Sequence, residues 1–289
     1  MDSVTSRFDA NDPATRTTGL QAAQGAISAQ RCIVMPTDTV YGIAADAFSA
    51  QAVSTLLASK GRGRNMPPPV LIPSVQTMDG LAIDVPASAR ALADEFWPGA
   101  LTLILHAQPS LTWDLGETRG TVALRVPDDE VALELLALTG PLAVSSANRT
   151  GQPAASTAQQ AFDQLGESVE VYLEAGPRPV AGGQTLSSTI IDCTLTPPRV
   201  VRVGALGIEQ LREIAPEILD INDASSDDAS NGEGPVAPAD AQAPNDAQPA
   251  ATPSVEDIAP NLESHDADAT DAADEATAAN KAAGTNATS

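Results

Sequence analysis

Aromatic side chains are scarce in this 289-residue chain, at 3% of residues, and none follows Tyr172. Cysteine is rarer still: Cys32 and Cys193 are the only two, each inside a short apolar run. Two cysteines and two histidines cannot build a disulfide framework, and they leave too few ligands for a zinc cluster. A pair of buried free thiols is expected instead, and no metal site. No apolar run approaches the roughly 18 residues of a membrane span. The first thirty residues lack a basic segment followed by an apolar one, so no signal peptide is expected and a cytoplasmic location is the default. Basic residues number 15 against 38 acidic ones, a net charge of −23. Phosphate neutralisation needs basic surface, so stable nucleic-acid binding is not expected.

The shortages are concentrated at one end. Residues 221–289 hold 14 acidic residues, a single basic one (Lys281) and no aromatic, and their only large aliphatics are Ile221, Val236, Val255, Ile258 and Leu262. Such a segment buries too little apolar surface to offset its ordering entropy. The expected organisation is one domain over 1–215 and a disordered acidic Ala/Asp/Pro-rich tail over 216–289.

Within the domain, apolar periodicity predicts helices over 17–30, 50–59, 87–96, 128–138 and 208–213, with a further helix capped by Ser156 and running to Leu165. Short apolar runs predict strands over 31–36, 70–72, 101–105, 121–126, 142–144, 169–173, 188–192 and 200–203. Several strands follow one another without a helix between them. That order predicts an α/β fold with a twisted, mixed open sheet and helices packed on it.

Lys60 is the only lysine before residue 221. It lies in Lys60-Gly-Arg62-Gly-Arg64, followed by Pro67, Pro68 and Pro69. Three cations in five residues repel one another. They are either a solvated helix end, favoured there by the helix dipole, or a site for phosphate or carboxylate. In an acidic chain the second reading is preferred. Residues 121, 123 and 125 share one face of a strand, with Val122 and Leu124 opposite. An arginine at 125 on such a strand needs an anion, supplied by an internal salt bridge or by a ligand. Thr39 and its neighbours after the first strand, and Ser145-Ser-Ala-Asn148 after another, place hydroxyls at strand ends, where α/β sheets bind ligands. No G-x-S-x-G elbow and no Walker A loop occurs. A serine nucleophile is therefore disfavoured, and any use of ATP must rest on another architecture.

As an ordered set, seven motifs resemble the YrdC-like threonylcarbamoyl-AMP synthases over roughly residues 8–215. They are Pro36-Thr-Asp-Thr-Val-Tyr-Gly42, Lys60-Gly-Arg62 with its downstream prolines, Phe96-Trp-Pro-Gly99 with Leu101-Thr102, Arg125-Val-Pro127, Ser146-Ala-Asn148, Ser188-Thr-Ile-Ile-Asp192 and Arg202-Val-Gly204. The resemblance implies an α/β twisted sheet around a positively charged cavity. It implies condensation of L-threonine, bicarbonate and ATP to threonylcarbamoyl-AMP and pyrophosphate, with Mg²⁺ accompanying ATP. The product would pass to a downstream threonylcarbamoyl transferase complex for modification of adenosine in tRNA.

Carried over by position, Thr39, Arg125 and Ser188 would bind threonine, with Arg125 on its carboxylate. Lys60, Arg62, Thr121, Ser146, Asn148, Ser156 and Arg202 would bind ATP, and Lys60 and Arg62 would serve the chemistry. The sequence departs from the family pattern at Pro68-Pro69-Val70 and at Met66, where many members carry a polar residue. Two alternatives stand beside this reading. One is a non-catalytic RNA-binding or ribosome-maturation module on the same fold. The other is a carbamoyl-adenylate-forming domain serving a hydrogenase cofactor, whose usual extra modules have no counterpart here.

Overall fold

The computed structural model describes residues 5–180, 182 and 184–223. The chain opens with β1 (Ser6–Asp9), α1 (Pro13–Ser28), β2 (Ile33–Met35), β3 (Gly42–Asp46) and α2 (Ala50–Lys60). It continues through β4 (Val70–Leu71), α3 (Val75–Leu81), β5 (Ala82–Ile83), α4 (Ala87–Phe96), β6 (Leu101–Ala107) and β7 (Thr121–Arg125). Then follow α5 (Glu130–Thr139), β8 (Leu142–Ser146), α6 (Ala158–Leu165), β9 (Val171–Glu174), β10 (Thr189–Asp192), β11 (Arg199–Arg202) and α7 (Ile208–Ile214).

All the strands join one sheet, in the order β1-β9-β2-β3-β8-β4-β7-β6-β10-β11, with β5 beside β6. β4 runs parallel to β7, and β10 parallel to β6. β3 and β8, and β6 and β7, are antiparallel. The sheet is mixed, as expected.

Side-chain alternation decides which face is dry. Leu101, Leu103 and Leu105 of β6, with Val122 and Leu124 of β7, point into one core beside Leu92 and Trp97. Thr102 and Arg125 fall on the opposite face by the same period of two. A second core packs α1 and α5 on the sheet through Leu20, Ile27, Leu135 and Leu136, against Met35 and Leu71.

Helix ends follow local chemistry. Asp129 caps α5 by accepting the Ala132 N–H at 3.0 Å. α2 stops at Gly61, whose φ of 69° is left-handed and costs little without a Cβ. α6 is capped by Thr157 rather than Ser156: Thr157 Oγ1 accepts the Gln160 N–H at 3.1 Å.

The domain boundary also lies beyond the expected one. Ile218 is 1% exposed, and Val200 N–H donates to Leu219 O at 2.9 Å. Arg212 pairs with Asp223 at 2.8 Å. Residues 216–223 therefore belong to the folded unit. The remainder of the expected tail, 224–289, lies outside the described residues.

Cys32 and Cys193 are free and buried, as expected. Burial pushes both thiols up to about 12. It raises the Tyr41 and Tyr172 phenols as well. The unfolded chain releases thiol protons near pH 8.5. The stability these groups contribute is therefore complete below about pH 8.5 and is lost as pH climbs towards 12. Two measurements check this. A thiol reagent should label neither cysteine at pH 7.5 until denaturant is added, and the denaturant midpoint should fall between pH 8 and pH 11. Rapid labelling of the native protein would contradict the assignment.

Candidate active site

One cleft collects side chains from the ends of five strands. It encloses ≈ 430 Å³ of non-protein space open to solvent. Its walls include Thr37 and Thr39 from the β2–β3 loop, Leu71, Thr102, Arg125, Ser145 and Ser146, together with Ser187, Ser188 and Arg202. Val40, Pro69 and Val144 supply an apolar side. Gly42 lies in the wall because a Cβ there would stand 2.6 Å from Val144 Cγ1. The polar lining is hydroxyls and guanidiniums, with no carboxylate. Such donors suit anions.

Arg125 sits at the end of β7, 6% exposed. Its Nε donates to Gly99 O at 2.9 Å, Nη1 to Thr39 Oγ1 at 3.1 Å, and Nη2 to Asp38 Oδ1 at 2.6 Å. A guanidinium has five N–H donors. Three are used, leaving one on each terminal nitrogen. The two expected sources of an anion for Arg125 are thus compatible: an internal ion pair exists, and the guanidinium, with an unused N–H on each terminal nitrogen, is part of the cleft wall. Thr39 is held in place by Thr37, whose Oγ1 accepts from the Thr39 and Val40 amides at 3.2 Å and donates to Val40 O at 2.6 Å.

Arg202 and Ser188 form the opposite wall. Arg202 donates to Ser188 O at 3.0 and 2.7 Å and to Ser188 Oγ at 2.9 Å. Ser188 Oγ lies 2.8 Å from Thr102 Oγ1. Thr102, Thr39, Ser188, Arg125 and Arg202 therefore share one cleft, although they lie as much as 163 positions apart in the chain.

The basic run after α2 does not act as a single group: its three cations take separate partners. Lys60 is only 1% exposed. Its ammonium donates to Ser146 O, to Ser146 Oγ at 3.3 Å, to Asn148 O at 2.8 Å and to Asn148 Oδ1 at 3.1 Å. It fixes the Ser146–Asn148 turn from behind and does not line the cleft. Arg62 turns back to Ser145 Oγ at 2.9 Å and Thr150 Oγ1 at 3.3 Å. Arg64 makes a surface pair with Asp114 at 2.7 Å, and Phe48 stacks on Trp113 nearby at 5.5 Å. Helix geometry explains the split: Lys60 is the last residue of α2 and still faces the sheet, whereas Gly61 turns the chain outward.

Of the seven expected ATP residues, only Ser146 and Arg202 line the cleft; Lys60, Arg62 and Asn148 bond to its Ser145–Ser146 wall, and Thr121 and Ser156 are not brought to it. Thr121 begins β7, so it stands about 13 Å along the strand from Arg125. Its hydroxyl donates to Thr118 O at 2.8 Å, beside a separate recess with Pro67, Pro68 and Leu115. Ser156 precedes α6 and bonds Gln160 Oε1 at 3.0 Å. Conversely, Asp38 and Thr102 have no individual role in the sequence reading, and Thr37 and Ser145 are singled out there only as hydroxyls at strand ends.

A mixed sheet whose strand ends present two guanidiniums and several hydroxyls to one solvent-open cleft defines an α/β domain with a donor-rich site. The family model for Sua5, YciO and YrdC, described as telomere recombination, matches residues 25–204. The chain belongs to that family.

A Mycobacterium tuberculosis protein provisionally named a threonylcarbamoyl-AMP synthase is 51% identical over 211 residues, covering 73% of this chain and 95% of that one. The threonylcarbamoyl-AMP synthase of Bacillus subtilis is 33% identical, over 73% of this chain and 59% of its own length. Among solved structures, Pyrococcus abyssi Sua5 complexed with L-threonine superposes with a TM-score of 0.66 at 31% identity, covering 75% of this chain. This chain spans 62% of that longer protein. Escherichia coli YciO, at 22% identity and a TM-score of 0.61, shares the fold. Among the described residues, no helix is long and apolar enough to cross a membrane.

Proposed function

We propose that this protein is an L-threonylcarbamoyladenylate synthase, condensing L-threonine, bicarbonate and ATP to threonylcarbamoyl-AMP and pyrophosphate for tRNA modification. The observation that carries the reading is one cleft lined by Arg125, with an unused N–H on each terminal nitrogen, and by Thr39, Ser188 and Arg202. A planar fork of that kind matches a carboxylate. Threonine would lie with its carboxylate on Arg125 and its side chain against the apolar wall of Val40, Pro69 and Val144.

The chemistry needs charge management more than a nucleophile. Threonine's amine and bicarbonate give a carbamate and water. A carbamate oxygen then attacks the α-phosphorus of ATP, and the bond to the β-phosphate oxygen breaks to release pyrophosphate. Carboxylate, carbamate and triphosphate must meet. Two like charges 4 Å apart repel by about 4 kcal/mol at an effective dielectric of 20. Arg125 and Arg202 offset that repulsion from opposite walls. Ser145 and Ser146 form the stretch of wall that would adjoin the phosphates, with Arg62 supporting Ser145. Lys60 acts by holding the Ser146–Asn148 turn. Catalysis is then mainly positioning and fixed charge.

Mg²⁺ enters this proposal as part of the substrate, riding on the phosphates of ATP. The cleft's donors are hydroxyls and guanidiniums, which do not make a magnesium cage, and no cluster of metal-ligating side chains occurs among the described residues. The product's onward partner would be a threonylcarbamoyl transferase. The RNA-binding alternative has no comparable support, since the relatives that match across this domain carry the synthase name.

The test is pyrophosphate release by the purified protein. Release is expected only when ATP, threonine and bicarbonate are all present. Turnover of ATP indifferent to threonine would end the synthase reading.

A further inference from the structure

Asp38 stands between the cleft and the nearest helix end. One carboxylate oxygen, Oδ1, accepts from Arg125 Nη2 at 2.6 Å and from the Asp128 amide at 3.0 Å. The pair is well enclosed, with Arg125 7% and Asp38 15% exposed. Asp128 precedes Asp129, the cap of α5. The second oxygen of Asp129 takes Arg178 Nη2 at 2.7 Å in another buried pair, and Arg178 Nη1 reaches back to Ala175 O at 2.7 Å. Arg125 is thus tied, through one oxygen atom, to a helix terminus that is itself clamped on its far side. Asp38 does not line the cleft, so any effect it has on a ligand passes through Arg125.

We propose that Asp38 is a positioning residue that aims the Arg125 fork at the substrate carboxylate. The proposal rests on the threonine-binding reading above. Two effects oppose each other. Asp38 partly neutralises Arg125, which taken alone would weaken its hold on an anion. It also fixes a long, flexible side chain before the ligand arrives, so that binding does not have to order it. Bidentate pairing depends on alignment of a planar group, and Nη2 has no other protein partner. Nε and Nη1 alone leave the guanidinium free to tilt about the Gly99–Thr39 side. Orientation therefore wins, and loss of the Asp38 carboxylate weakens threonine binding.

Calorimetric titration of threonine, and separately of a non-hydrolysable ATP analogue, tests this on the full chain. Asp38→Ala, which removes the acceptor oxygen, is expected to weaken threonine roughly tenfold, the scale on which partners behind a ligand-holding side chain act. The nucleotide analogue should bind within about twofold of wild type. In an Arg125→Lys background there is no fork to aim, so adding Asp38→Ala should change threonine binding less than about twofold. Asp38→Glu keeps the carboxylate one methylene further out and should give a smaller, threonine-only loss; it serves if Asp38→Ala does not fold. Threonine binding that is unchanged or tighter in Asp38→Ala overturns the proposal. So does equal weakening of both ligands, or an equal loss with and without the fork. Failure of the wild type to bind threonine overturns the functional reading itself.

Discussion

Replacing Arg125 by alanine should raise the threonine requirement by roughly 10- to 150-fold, the equivalent of losing about 1.5–3 kcal/mol of charged hydrogen bonding. The ATP requirement should move far less, because Arg202 and the serine hydroxyls stay in place. A second effect follows from the ion pair. Alanine leaves Asp38 enclosed without its cation, and breaking a buried pair from one side costs about 3–5 kcal/mol. Asp38 retains 15% exposure, so the lower end applies. For a domain of this size that is a fall of roughly 6–12 °C in melting temperature. Steady-state pyrophosphate release across threonine concentrations, with a melting curve on the same sample, reads both. An unchanged threonine KM would remove Arg125 from the site.

Lys60 gives the other large effect, for a different reason. Methionine has similar length but no donor. Lys60→Met removes the proton donor that joins four oxygens of Ser146 and Asn148 in a buried position. Relief from burying an ammonium offsets part of the loss, so about 2–4 kcal/mol of stability is expected to go. Nucleotide binding should weaken with it as the turn loosens. Arg64, four residues on, is the internal control. Its pair with Asp114 is 57% and 41% exposed, and such surface pairs contribute little to stability. Arg64→Ala should melt within about 3 °C of wild type. Comparable melting for the two variants would show that Lys60 is not the buried anchor described above.

Much of this architecture was legible before the structure. The alternation of Val122 and Leu124 against Arg125 named the dry and wet faces of β7 because a strand has no other way to orient them. The Trp97-Pro98-Gly99 stop ended α4 where expected. β3 was missed because Gly42–Asp46 reads GIAAD, with one β-branched residue and no alternation. Its strand character comes from lying between β2 and β8. The site was legible as a set of charged residues and hydroxyls at strand ends, but its pairings were not. Asp38 and Arg125 are 87 positions apart, and Lys60 meets Asn148 across 88. No local pattern marks such pairs. Thr121 fitted the Arg125 face by period, yet a shared face does not bring opposite ends of a strand together. Residues 216–223 read as the start of the acidic tail, and the burial of Ile218 and the pairings of Leu219 and Asp223 show otherwise.

The burial of Lys60 has one more consequence, for how this domain meets its surroundings. Because it is the sole lysine before residue 221, no side-chain amine reaches solvent among the described residues. Acylating reagents, whether a laboratory dye ester or a metabolic acyl donor, find nothing to modify on that surface. The positive side chains there are guanidiniums, which keep their protons throughout the physiological range. The cationic half of the domain's exterior is therefore nearly indifferent to pH and to acylation, and changes in its outward charge fall to the carboxylates.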